Sequence, residues 1–488
     1  MSIRLLALAF ALALPSAVAA QQPNALTAAA TTLGTNGLRS ITFTATGQAF
    51  VLGQPPTATE PWPVRPIKSY QITLDYLNGG MRIEQVQTMP APQPRGGGAP
   101  FAGEQRQVLY SRGAFAWNEA AAQGGGAPTM NPQPAASAER VIWTWAAAPQ
   151  GLIKAAGAAA TRNVANGAEF SFTVGGRYRL AAVSNKANHI ERVQTWIPND
   201  VFGDMLVEVA YSGYKNFGPI VFPSRIVMSQ GGYPTLELTV TGVKTNEFVD
   251  IVVPDNVRAA TVAAPTTTSA KVADGIYWIT GGSHHSMAID MGDHVVVLEA
   301  PQNEARSNAV IAETKKLIPN KPIRYVVNTH LHFDHSGGLR TYVDEGATVV
   351  THQANQAFYE KAWTSPRTII GDRLAKSGKK WTFQGVTDRS VLQGTNNRTI
   401  ELHVLRGNPH NEQTLIVWLP GEKVLFQSDM MNPPAPNATV PPPTPTITNF
   451  YDALQKLNIQ PAQIVGGHGN RIATLADLQA VAGKAGTK

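Results

Sequence analysis

Two textures of hydrophobic and polar alternation divide the chain. From residue 21 to about 255, short period-two runs dominate, among them Ser40–Thr46, Ser69–Tyr76, Met81–Gln87, Phe170–Val174, Ile190–Trp196, Leu206–Tyr211 and Thr235–Val240. Alternation of this kind gives each strand one core-facing and one solvent-facing side, so residues 21–255 are expected to form a mainly antiparallel β-domain. Within it, Pro149 to Ala160 reads as helical, and the Gly-, Pro- and Ala-rich stretches Pro90 to Pro100 and Gln123 to Pro134 read as flexible loops. Weakly patterned sequence rich in Ala, Thr and Val over residues 256–270 reads as a linker. From 271 to 488 the texture changes to short apolar strands such as Ile323–Val327 and Lys423–Ser428, alternating with helical segments at Asn303–Leu317, Leu339–Gly346 and Phe450–Leu457.

The second half also concentrates the ligand-type side chains. Val327–Gly338 places His330, His332, Asp334 and His335 within six residues, directly after the β-branched run Ile323–Val327 and before the segment opened by Ser336-Gly-Gly. Alternate residues of a strand end splay to opposite sides, so four polar side chains converge only on a tight strand-to-helix turn. Three more stand at or just beyond the carboxyl ends of apolar strands. His410 follows Thr399–Leu405, Asp429 ends Lys423–Ser428, and His468 ends Gln463–Gly467. Imidazole and carboxylate are the natural ligands of zinc and similar ions. A merely solvated histidine-rich turn is the bland alternative, and the agreement of motif with context outweighs it.

The arrangement His-x-His-x-Asp-His, then a lone His, a lone Asp and a final His, resembles the metallo-β-lactamase fold superfamily from about Val272 to the C-terminus. The resemblance implies an α+β chain in which an αββα sandwich over 271–488 follows the β-domain. It implies His330, His332 and His410 on a first metal, Asp334, His335 and His468 on a second, and Asp429 bridging. Two divalent metal ions, zinc foremost, would hold a bridging hydroxide that attacks an ester, thioester, lactone or lactam, with Asp334 steering it or relaying its proton. With no cysteine in the chain, the thiolate ligand of some β-lactamases in this superfamily is excluded, and Asp429 looks like the glyoxalase II, lactonase and phosphodiesterase branches. His332 in place of a glutamate argues against the di-iron flavoprotein oxidases. Two alternatives stay open: a phosphodiesterase-type hydrolase, and a mononuclear iron persulfide dioxygenase using part of the ligand set. The early hairpin offers His284 and His285 as substrate contacts, against the reading of strand-end histidines bonded to backbone. The proline-rich loop Pro433–Pro445 reads either as a wall of the cleft or as a connector. Tyr211–Ile226 resembles the sheet segments of exported lipoprotein-carrier-like half-barrels, although a scaffold or dimerisation role is the better reading there.

Composition adds the setting. The chain has 488 residues, 43% hydrophobic and 15% charged, long enough for more than one core. Residues 1–20, a basic start, an apolar stretch from Leu5 to Pro15 and Ser-Ala-Val-Ala-Ala, read as a signal peptide. The apolar stretch is too short for a bilayer core of about 30 Å, so no stable membrane anchor is expected. The expected location is exported, periplasmic or secreted. The formal charge of +7 comes without a Lys/Arg block interleaved with aromatics, so the expected partner is a small-molecule substrate and not nucleic acid. A homo-oligomer is compatible with all of this.

Overall fold

The computed structural model describes residues 24–98, 100–120, 126–157, 159–174, 176–435 and 438–484. The expected signal peptide lies outside them. Its first half is one antiparallel sheet of thirteen strands. Two meanders meet where Ser40–Phe50 pairs with Tyr233–Thr245. The period-two patterning has its expected consequence: along Gly203–Phe217, Met205, Val207, Val209 and Tyr211 are buried in alternation. That face packs on the helices Ser137–Ala146 and Pro149–Ala156, with Ile142, Ala146 and Leu152 fully buried.

The helix expected to reach Ala160 ends sooner. Gly157, at φ 48°, terminates it, and Ala160 opens the strand Ala160–Val164. Helix Ala25–Thr32 carries an alanine-rich stripe too weak to announce itself in the sequence, and helix Ser137–Ala146 was not read from it. Tyr211–Ile226 forms a hairpin between Gly203–Phe217 and Ile220–Gln230. The segment read as a linker is not uniformly extended. Asp255–Ala259 is a helical turn whose Val257 packs with Trp117, Ile251 and Val253, and Thr268–Ala273 is already an edge strand of the next sheet.

The second half has the expected four layers. A seven-stranded sheet runs from Thr268–Ala273 to Phe383–Val386, and a five-stranded sheet from Arg389–Gln393 to Gln463–Gly466. Their inner faces meet in a core that includes Met287, Val296, Leu298, Val327, Leu402, Val417 and Phe426. Helices Glu304–Leu317, Leu339–Glu345 and Gln353–Trp363 cover the outer face of the first sheet. Pro445–Lys456 and Leu475–Val481 cover that of the second. Strands buried on both sides read as unbroken apolar runs, which is why Val295–Leu298 sends Val295 and Val297 to one core and Val296 and Leu298 to the other. Among the described residues no helix is long and apolar enough to cross a membrane.

Candidate metal centre

Ile323–Val327 lies between two parallel neighbours, Val295–Leu298 and Thr348–His352, and delivers the chain to the rim where both sheets end. Asn328 then shapes the turn from inside. Its amide nitrogen donates to the carbonyls of His330 (2.6 Å) and His335 (3.3 Å), while its oxygen accepts from the Tyr359 hydroxyl at 2.6 Å. Asp334 and His335 sit on a single helical turn, Phe333–Ser336. Ser336 does not cap the following helix, as its position suggested. Its hydroxyl turns back to the His332 carbonyl at 2.9 Å, and Gly338 precedes Leu339–Glu345. A Cβ at Gly338 would meet the Ser307 hydroxyl at 1.9 Å. Gly346 ends that helix in the left-handed region.

All seven expected donors converge. His330, His332, His410 and Asp429 form one group, and Asp334, His335, His468 and His284 a second, with ligand atoms within 4.8 Å of one another in each. Asp429 touches both: Oδ2 lies 3.2, 3.1 and 2.9 Å from His330, His410 and His335 Nε2, and Oδ1 lies 2.8 Å from His468 Nε2. It holds a positive φ of 65°, a conformation that costs a non-glycine residue energy and aims its carboxylate between the two groups.

Behind these donors, the far side of each of four rings is engaged. His330 Nδ1 meets the Thr329 hydroxyl (2.9 Å), His332 Nε2 the Pro55 carbonyl (2.8 Å), His335 Nδ1 the Glu299 carboxylate (2.6 Å), and His468 Nδ1 the Ser283 carbonyl (2.8 Å). The other nitrogens face inward, where His330 Nε2 stands 3.0 Å from His332 Nδ1 and 3.4 Å from His410 Nε2. Outer partners that fix the tautomer and inner nitrogens that crowd together are what a divalent cation requires of imidazoles, so this donor set fits the metal it resembles a site for.

The electrostatics follow from the same crowding of imidazoles and carboxylates. Burial lowers the His330 and His332 imidazoles. Burial would also lower His335, but the charges of Asp429 and Glu299 outweigh it and raise that imidazole well above its ordinary value. Burial pushes the Asp334 and Asp429 carboxyls up, yet surrounding histidines hold both below the usual carboxylate range: His284 and His335 act on Asp334, His335 and His410 on Asp429.

Of the two hairpin histidines, one reaches the site. His284 Nε2 lies 3.2 Å from Asp334 Oδ2, and its ring centroid is 4.3 Å from that of His468. His285 turns away, bonding the Gly469 carbonyl at 2.7 Å with its ring edge-on to Trp278, which matches the backbone-bonded alternative. The proline-rich loop begins beside the site, where Pro434 accepts from Arg471 at 3.0 Å. Among the contributors that escaped the sequence reading are Glu299, Gln54 and Pro55. Glu299 directly follows the apolar strand Val295–Leu298, the signal by which Asp429 was found; the other two come from the loop after Ser40–Phe50 and carry no such signal.

Comparison with known proteins agrees with this picture. Residues 279–468 match the model of the metallo-beta-lactamase superfamily. The N-acyl homoserine lactonase AttM of Rhizobium radiobacter is 29% identical over 108 residues, 21% of this chain and 39% of that protein. Its counterpart in Rhizobium johnstonii matches over the same shares at 29% identity. The chain thus spans well under half the length of these curated relatives. A metallo-beta-lactamase from Pontibacter korlensis is similar at 16% identity and a TM-score of 0.35, covering 46% of this chain and 100% of that one.

Proposed function

We propose that the protein is an exported, binuclear metal-dependent hydrolase of a small carbonyl ester, thioester, lactone or lactam, with a lactone as the first substrate to try. The observation that carries the reading is Asp429, whose two oxygens face histidines of both donor groups. His330, His332 and His410 would hold one ion and Asp334, His335 and His468 the other, with zinc the metal proposed. Two such ions, when bound, supply a nucleophilic water at neutral pH and polarise the substrate carbonyl. The chain's own side chains do the rest. Asp334, kept ionised by its histidine neighbours, orients the attacking water and accepts its proton through a carboxylate oxygen. His284, bonded to Asp334 Oδ2 and to the Ser283 hydroxyl, stands where it can steady that carboxylate and meet the leaving group. Burial of His330 and His332 excludes bulk water and strengthens each of these interactions.

Convergence of the complete donor set favours this reading over the mononuclear iron dioxygenase, which needs only part of it. The lactone preference rests on the named activity of the Rhizobium relatives. Export and the division into a β-domain (21–255) and a catalytic domain (271–488) rest on the N-terminal sequence and the change of texture. The test is elemental analysis of protein purified without added metal, followed by assay on an acyl homoserine lactone, a thioester, nitrocefin and a phosphodiester. Two zinc ions with lactone turnover is the expected result. One iron and no zinc overturns it.

A further inference from the structure

The histidine-rich turn is gripped by the other half of the chain. Four consecutive residues of the loop after strand Ser40–Phe50 reach it or the neighbouring His410 loop. The Gly53 carbonyl accepts from Phe333 N–H (3.2 Å), and the Gln54 amide donates to Asp334 Oδ1 (2.7 Å). The Pro55 carbonyl accepts from His332 Nε2 (2.8 Å) and the Asn411 amide (3.0 Å), and the Pro56 carbonyl accepts from Glu412 N–H (2.9 Å). A second loop, read from sequence as flexible, backs the first: Gly96 N–H donates to the Pro409 carbonyl and Gly97 N–H to the Gln54 carbonyl. The seat is tight. A Cβ at Gly53 would meet the Phe333 ring at 2.3 Å, and one at Gly97 would meet Gln54 Oε1 at 1.7 Å and His332 Cε1 at 2.7 Å. Trp62 and Phe202, both from the first half, pack edge-on against Phe333.

We infer that Gln54 and the Pro55 carbonyl are positioning groups of the metal centre, so that the thirteen-stranded half completes the site rather than merely accompanying it. Gln54 occupies Asp334 Oδ1, which leaves Oδ2, 3.6 Å from His335 Nε2, as the oxygen presented to the second donor group. The Pro55 carbonyl holds the His332 proton on Nε2, which leaves Nδ1 facing His330 and the first group. Outer partners of this kind change metal affinity by about 10–100-fold when removed. The inference rests on the two-metal reading, but its test does not use catalysis.

The measurement is calorimetric titration of metal-free full-length protein with zinc, and with cobalt for its visible spectrum. Gln54→Met keeps the length and removes the donor, and Gln54→Glu replaces the donor by a like charge. Both are expected to weaken the second ion by about tenfold or more, Glu more than Met, with the first ion and the metal-free Tm unchanged. Gly97→Ala, whose Cβ would crowd both Gln54 and the His332 ring, is expected to weaken both ions. Long-range proton–nitrogen correlation in the metal-free protein is expected to place the His332 proton on Nε2. Wild-type affinity for both ions in Gln54→Met, or a proton on Nδ1 of His332, overturns the inference. A protein that binds metal as stated yet turns over no substrate in the panel would instead refute the proposed hydrolase.

Discussion

Glu299 Oε2 lies 2.6 Å from His335 Nδ1, and both side chains are buried from solvent. The other oxygen of Glu299 accepts from Thr329 N–H at 2.8 Å, so one carboxylate steadies both a ligand ring and the backbone that leads to His330. Its φ of 68° shows that the chain turns sharply to put it there. Glu299→Gln should therefore lower affinity for the ion held by His335 by about 10–100-fold while the protein stays folded. Zinc titration followed by circular dichroism checks both halves of that expectation.

Asp429 spans the two donor groups, so its loss should be felt by both. Asp429→Ala is expected to lower occupancy of two ions together, whereas His410→Ala should weaken chiefly the first. Metal content of the two variants after identical dialysis distinguishes them. Full occupancy and turnover in Asp429→Ala would remove the case for a bridge.

The neighbouring histidines 284 and 285 should behave as opposites. His284→Ala is expected to reduce kcat/KM by about 10–100-fold, the scale of groups that orient metal ligands, with little change in Tm. His285→Ala removes a buried ring bonded to the Gly469 carbonyl and packed on Trp278. It should cost stability by about 1–3 kcal/mol and leave turnover near wild type. Equal kinetic effects of the two would contradict the geometry.

A buried charge cluster away from the two donor groups sets an acid limit. Asp372 pairs with Arg340 at 2.5 and 3.1 Å and with Arg367 at 3.3 Å, and Arg367 in turn donates to the Asp200 and Val201 carbonyls of the first half. Burial pushes the Asp372 carboxyl up, but Arg340, the Ala375 N–H and Arg367 outweigh it and hold it below its ordinary value. A depressed carboxylate stabilises the fold above the unfolded-state value of about 4, and that contribution is lost as pH falls through the lower folded-state value. Asp372→Ala leaves two arginines unpaired in a buried setting and should cost about 3–5 kcal/mol at neutral pH. Denaturant melts at pH 7 and pH 3 should show the gap between variant and wild type narrowing at the lower pH.

Sequence alone determined what is local. Period-two alternation marked one half as antiparallel sheet, and apolar runs alternating with helical segments marked the other as mixed α and β, because burial writes itself directly into residue order; the four-layer sandwich came only from the resemblance carried by the ligand motif. The seven ligand-type residues were legible because four crowd onto one turn directly after an apolar strand and three stand at or just beyond the ends of others. Tertiary structure alone decided which of His284 and His285 turns inward, since adjacent residues share every local signal and differ only in the side they face. It also decided the grip of Gln54 and Pro55 on a turn some 280 residues away. A lone amide and a backbone carbonyl carry no pattern, and their effect comes from the distance and direction that folding gives them.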